Sequence, residues 1–158
     1  MIMNIKEQEM NIYETELNDK VLKQLIDLSI NWEKENSCHG YRANGKEDIE
    51  GNRIFLAEED GRVIGYLFGR TFQSENMTSV MPEGTPYFEV EEIYVIPEER
   101  SKGIGSSLFE YAEKAVKNDA EYIVLSTATR NWKAIFHFYL EELGMEFWNA
   151  RLFKKLED

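Results

Sequence analysis

The sequence predicts a mixed α/β domain, and three observations carry that prediction. Short runs rich in β-branched and aromatic residues alternate with longer segments whose apolar residues recur at helical spacing. Asp60-Gly61 separates two of the early runs and is a strong hairpin signal, so the first strands pair antiparallel. After Tyr87 the order becomes strand, helix, strand, helix, which demands a crossover and hence parallel pairing. The expected architecture is a mixed, centrally parallel sheet of about six to seven strands with helices on both faces.

Taken in order, Met10 to Thr15 alternates as a first strand, and the polar residues 1–9 before it read as a frayed extension. Asn18 or Asp19 caps a helix running to about Glu35, with Val21, Leu22, Leu25, Leu28 and Trp32 along one face. Residues Asn36 to Gly45 are rich in breakers and form a loop, followed by a short helix through Lys46 to Glu50. Arg53 to Glu59 and Arg62 to Thr71 are the hairpin strands, and Gln73 to Pro86 is an exposed loop. Tyr87 to Ile96 is a strand that stops at Pro97. Ile104, Leu108, Tyr111, Ala112 and Ala115 define the apolar face of the next helix. Tyr122 to Ser126 is a short parallel strand, and Asn131 to Leu143 a helix with Trp132, Ile135, Phe136, Tyr139 and Leu143 on its apolar side, ended by Gly144. Met145 to Trp148 and Arg151 to Leu156 read as a closing pair of strands.

Composition narrows the function. A chain of 158 residues supports one domain with a sizeable core, residues 1–158, and no linker or repeat divides it. Thirty acidic against 18 basic residues speak against a nucleic-acid partner and are compatible with a cationic substrate. No apolar run approaches a membrane span and the opening residues lack the apolar core of a signal peptide, so a cytoplasmic location is expected. The single cysteine, Cys38, excludes an internal disulfide and agrees with a reducing compartment. With His39 and His137 the only histidines, no metal-ligand set of the usual spacing exists. Phe147, Trp148 and Phe153 on the closing strands suit either core burial or a homodimer contact.

The chemistry concentrates between Tyr87 and Asn118. A strand leads through Pro97 and an acidic turn into Arg100-Ser101-Lys102-Gly103-Ile104-Gly105-Ser106, which opens a helix. The first N–H groups of a helix lack intrahelical partners and carry the positive end of its dipole, so they favour an anion. Gly103 and Gly105 have no side chains to hold the anion away, and Arg100 and Lys102 add positive charge. No Gly-Lys-Ser/Thr follows, and Leu108 stands where a third glycine would complete a dinucleotide fingerprint.

This segment, VIPEERSKGIGSSLFEYAEK, resembles motif A of the GNAT superfamily of acetyl-CoA-dependent N-acyltransferases, with Arg100, Gly103 and Gly105 filling its Q/R-x-x-G-x-G/A signature. Chain length and element order fit that family from about residue 10 onward, and Gly65 matches its usual glycine on the second hairpin strand. The resemblance implies acetyl transfer from acetyl-CoA to a primary amine in a ternary complex, the acceptor being a small cation such as a polyamine or aminoglycoside. A protein lysine, an N-terminal amine, or a catalytically silent acyl-CoA-binding module are its alternatives. It implies that Arg100, Ser101, Lys102, Gly103, Ile104, Gly105 and Ser106 hold the pyrophosphate. The main chain of Ile93, Tyr94 and Val95 runs along the pantetheine arm, and Asn131 lies on the cofactor side. The loop Asn36 to Gly45 corresponds to a region that commonly walls the acceptor site, where Tyr41 and Trp32 are candidates to line a pocket.

A free alkylamine, with a pKa of about 10.4, must lose a proton before attack. Glu89, Glu91 and Glu92 lie on the strand leading to the loop. Simple alternation puts Glu89 and Glu91 on one face and Glu92 on the other, unless a bulge intervenes. The pair Glu91-Glu92 resembles the Glu-Asp pair of spermidine/spermine acetyltransferases, and both are candidate bases. Tyr139 is the candidate general acid by the same resemblance, but it comes eight residues after Asn131 where the family pattern has seven. One residue turns a helix by about 100°, so either the helix begins one residue late or Tyr139 is core and water reprotonates the thiolate.

Overall fold

The computed structural model describes residues 10–158, so the reading of residues 1–9 as an extension lies outside the described residues. Five strands form one sheet in chain order: β1 (Met10–Thr15), β2 (Arg53–Glu59), β3 (Arg62–Gln73), β4 (Pro86–Val95) and β5 (Tyr122–Val124). The first four pair antiparallel, and β5 joins β4 in parallel. Asp60 (φ 50°) and Gly61 (φ 78°) make the β2–β3 turn with both central residues left-handed, the geometry that matches strand twist.

Helices cover both faces. Helix α1 (Asp19–Glu35) starts where the Asn18 side chain accepts the Val21 N–H at 2.9 Å and ends at left-handed Asn36. It buries Val21, Leu25 and Ser29, one residue per turn. Its last turn stacks Trp32 on Tyr94, ring centroids 5.1 Å apart, so α1 lies over the face that carries Tyr66 and Tyr94. A short helix, α2 (Lys46–Ile49), follows the loop after α1. Helix α3 (Ile104–Val116) lies on the other face, where Leu108 closes on Gly65 and Tyr111 meets Phe55. Leu25, Phe55, Tyr66, Phe68, Phe88, Leu108 and Phe109 are fully buried, each contributing roughly 1.5–3 kcal/mol.

The mixed fold class and the placement of helices agree with expectation, and two parts differ. Among the described residues the sheet has five strands, not six to seven, and its parallel pair sits at an edge. The expected closing strands at Met145 to Trp148 and Arg151 to Leu156 do not form. β5 is three residues long and offers an added strand too short a ladder, which leaves Leu152 and Phe153 at 94% and 84% exposure.

The predicted final helix also changes character. It runs as α4 (Trp132–Phe136) and continues through His137–Glu142 as a π-turn, with the Leu143 N–H bonded to the Phe138 carbonyl at 3.0 Å. Trp132, expected on the apolar side, is exposed.

Candidate active site

The loop between β4 and α3 owes its shape to two left-handed residues, Ser101 (φ 63°) and Gly103 (φ 82°), around a turn at Pro97–Glu99. Gly103 caps α3 in a conformation that side chains disfavour. The N–H groups of Ile104, Gly105 and Ser106 find no carbonyl partner among the described residues, while Ser107 begins the helical pattern by bonding to Gly103. Both cations of the loop are already paired. Arg100 binds Glu35 and donates from Nε to the Val95 carbonyl at 2.8 Å, and Lys102 binds Glu99 at 2.9 Å. Each cation thus has an acidic partner, and the unpaired N–H groups at the start of the helix are donors that suit an anion.

Strand β4 reaches this loop with one edge open. β5 pairs with Tyr87, Phe88 and Glu89 and then departs. The Ile96 N–H bonds to the Ile64 carbonyl at 2.9 Å, toward β3, so alternation turns the N–H and C=O of Ile93 and the N–H of Val95 to the opposite, unpaired side. Tyr94 sends its side chain inward, where its hydroxyl donates to Glu35 at 2.6 Å. An extended polar chain can lie against this edge and end at the N-terminus of α3.

On the α1 face, a bulge redistributes the three glutamates. β3 pairs Phe68 with Glu92 but Gly69 with Val90, which leaves Glu91 as the extra residue. Glu89, opposite Arg70, and Glu92, opposite Phe68, therefore share a face, and exposed Glu91 does not belong with either. This corrects the simple alternation. Gly69 permits the bulge, because a Cβ there would overlap the Glu89 carbonyl oxygen.

Glu92 Oε1 accepts from Tyr41 at 2.9 Å, Asn44 at 2.9 Å and Tyr66 at 2.8 Å. Burial raises its pKa, the three donors lower it, and Asp48 pushes it up again. Glu89 is raised to about 7 by burial and then by the neighbouring charge of Glu91. Loop Asn36–Gly45 is held to α1 by two bonds, Ala43 N–H to Glu33 at 2.6 Å and Asn44 N–H to Ser29 Oγ at 2.9 Å. Trp32 and Tyr41, proposed to line a pocket, stack on each other at 4.1 Å.

Tyr139 lies on the π-turn, near Cys38. Burial of the ring, then Cys38, raises its pKa to about 12. Asn131 caps α4 and its carbonyl receives the Ile135 N–H at 3.1 Å, so the helix begins on time. A wide turn follows Phe136 and contains both Phe138 and Tyr139. Phe138 takes the position over α3, where a Cβ on Gly105 would lie 3.2 Å from its ring. Of the residues read from sequence, the loop, the β4 edge and Glu92 thus adjoin one another, and Glu91 stands apart. Asn44, Tyr66 and Glu35 were missed. Tyr66 lies in an apolar strand that reads as core, and only the register of β3 against β4 brings it to Glu92.

A strand with an open edge, running into a glycine-bearing loop at a helix N-terminus and carrying a buried carboxylate, suits an extended ligand that ends in an anion. The model of the acetyltransferase (GNAT) family matches residues 15–145, and the chain belongs to that family. An N-alpha-acetyltransferase of Saccharolobus solfataricus is 34% identical over 87 residues, covering 54% of this chain and 52% of that protein. The chain thus spans about half the length of the curated relative it matches. Among solved structures, aminoglycoside N-acetyltransferase AAC(6')-Iy in complex with CoA superposes with a TM-score of 0.65 at 18% identity, over 94% of this chain and 100% of that one. An aminoglycoside acetyltransferase from an uncultured soil metagenomic sample gives 0.66 at 14%, over 94% and 97%. A transcriptional regulator from Bacillus halodurans gives 0.68 at 18%, over 92% and 100%, so these likenesses speak to the fold. No described helix is long and apolar enough to cross a membrane.

Proposed function

We propose that the chain is an N-acetyltransferase that moves an acetyl group from acetyl-CoA to the primary amine of a small cationic acceptor, of polyamine or aminoglycoside type, by direct attack in a ternary complex. The observation that carries this reading is the continuity of β4: one strand offers an open main-chain edge at Ile93 and Val95, leads into the free N–H groups of α3, and presents Glu92 beside that edge. The residues fit the co-substrate. Gly103 leaves open space where a Cβ would stand, and the first turn of α3 has donors to spare for a pyrophosphate.

Acetyl-CoA supplies the activated thioester. Glu92 accepts the proton of the amine, directly or through water, and its burial keeps its basicity above that of a solvated carboxylate. The Val95 N–H is the donor available where negative charge develops on the acyl oxygen. The Tyr139 hydroxyl, held protonated by burial, is the acid for the departing thiolate. Glu91, on the solvent side of the bulge, has no part in this scheme.

One observation favours a second acceptor, the α-amine of a peptide: the relative from Saccharolobus solfataricus is an N-alpha-acetyltransferase. An α-amine has a pKa of about 7.7–8.0 and needs a weaker base than a polyamine. We take the chain to act as a single domain in the cytoplasm. Its exposed Phe147, Trp148, Leu152, Phe153 and Leu156 would be covered by a second copy in a homodimer.

The test is a coenzyme A release assay against polyamines, aminoglycosides, amino acids and peptides with free N-termini. Turnover confined to polyamines or aminoglycosides supports the first acceptor class, and turnover confined to peptides supports the second. Silence across the panel with calorimetric acetyl-CoA binding intact points to an acceptor outside the panel or to a silent acyl-CoA-binding module.

A further inference from the structure

Glu92 uses its two oxygens differently. All three of its hydrogen bonds end on Oε1, from Tyr41, Asn44 and Tyr66 at 2.8–2.9 Å. Oε2 has no partner among the described residues. It is also not a sealed orphan, because no buried side-chain oxygen or nitrogen among those residues lacks a partner. One oxygen is anchored and the other is open.

The three donors come from two separate elements. Tyr66 is fully buried on β3 and is set opposite Tyr94 by strand register, two residues from Glu92's own partner Phe68. Tyr41 and Asn44 come from the loop after α1, which Ser29 and Glu33 bind to that helix. Ser29 is itself buried, donates its hydroxyl proton to the Ile26 carbonyl at 2.8 Å, and receives the Asn44 N–H. Every donor is thus held by the fold independently of Glu92, which a side chain met by chance at a surface would not show.

We infer that Tyr41, Asn44 and Tyr66 are positioning residues that act through Glu92: they hold Oε1 so that Oε2 faces the acceptor amine. This rests on the reading of Glu92 as the proton acceptor. The trio serves two ends. It restricts the carboxylate to one rotamer, and it stabilises the ionised form against burial, since hydrogen bonds to a charged group favour the charge. The groups that bear on Glu92 are Tyr41 and Asn44 from the loop, Tyr66 from β3 and Asp48 from α2, and Glu89 shares its face of β4. Asp48 opposes ionisation and the three donors favour it.

The test is a carbon-13 NMR titration of side-chain carboxyls in the whole protein, with the Glu92 signal assigned by its loss in Glu92→Gln. Tyr41→Phe, Asn44→Ala and Tyr66→Phe each remove one donor, and each should raise the Glu92 midpoint by about one pH unit. The acidic limb of kcat/KM should move up with it, while the KM for acetyl-CoA stays within about twofold. Tyr41 is half-buried and its phenylalanine variant keeps the Trp32 stack, so it serves where a change at fully buried Tyr66 disturbs folding. A Glu92 midpoint unmoved in folded Tyr41→Phe overturns the inference. Full turnover in Glu92→Gln instead overturns the reading of Glu92 as base, a separate outcome because the titration needs no activity.

Discussion

Glu35 holds Arg100 by both carboxylate oxygens, Oε1 2.7 Å from Nη1 and Oε2 3.1 Å from Nη2. This pair ties the last turn of α1 to the loop before α3. The same guanidinium donates to the Val95 carbonyl and lies over the Tyr94 ring at 5.4 Å. Arg100 therefore joins α1, β4 and the loop.

That relationship separates two roles for Arg100. If it shapes the loop, Glu35→Gln should reproduce most of the effect of Arg100→Ala, each weakening acetyl-CoA binding about tenfold, because a bidentate charged pair is lost in both. If Arg100 touches the anion itself, releasing it from Glu35 should leave binding unchanged or tighter. Calorimetry on the two single variants and the double variant decides, and non-additive losses in the double variant are the expected result.

Gly103→Ala isolates the backbone term. Its φ of 82° is left-handed and a Cβ there meets nothing within 4 Å, so the substitution costs backbone strain alone, roughly 1–2 kcal/mol. Thermal unfolding should fall by several degrees and acetyl-CoA affinity by about tenfold, while Gly103→Asn, which tolerates this region better, should lose less of both. Unchanged affinity in the alanine variant would remove the loop from the binding site.

The early fold was legible because its signals are local: Asn18 caps α1, alternation marks β1, Asp60-Gly61 turns the hairpin, and β-branched and aromatic runs mark β2 to β4. The start of α3 was legible as well, since a proline-ended strand, an acidic turn and R-x-x-G-x-G before an amphipathic run come in that order. Three features were hidden. Glu91 is an ordinary strand residue in sequence and becomes a bulge because Gly69, on another strand, lets the backbone approach. The one-residue excess before Tyr139 was visible, but the π-turn that holds Tyr139 was not, and neither was the approach of Phe138 to Gly105. The alternation of Met145 to Leu156 suggests strands that a three-residue β5 edge cannot pair.

Tyr139→Phe should lower kcat about 10²-fold or more, within the usual range for a lost acid, and leave the acceptor KM within about twofold. With its pKa raised to about 12, the wild-type hydroxyl stays protonated through pH 10, so Tyr139 should impose no basic limb on kcat below that point. Pre-steady-state turnover across pH 6–10 checks both statements. Full activity in the phenylalanine variant would return Tyr139 to a packing role and leave reprotonation to water.

Burial beside Glu91 makes Glu89 a source of pH-dependent stability. Burial and Glu91 raise Glu89 to about 7 in the folded chain, against about 4.3 when unfolded. Between those values the folded state binds more protons than the unfolded one, so stability falls as pH rises from about 4.3 to 7 and then levels off. Glu89→Gln removes the ionisable group and with it this loss. The carboxyl is partly open to solvent, so the gain is discounted to about 1 kcal/mol at pH 8, with little difference from wild type at pH 4. Urea unfolding of both proteins at the two pH values measures it. A gain of equal size at pH 4 would show that the substituted amide improves packing instead, and no gain at pH 8 would mean that Glu89 ionises without cost on that face.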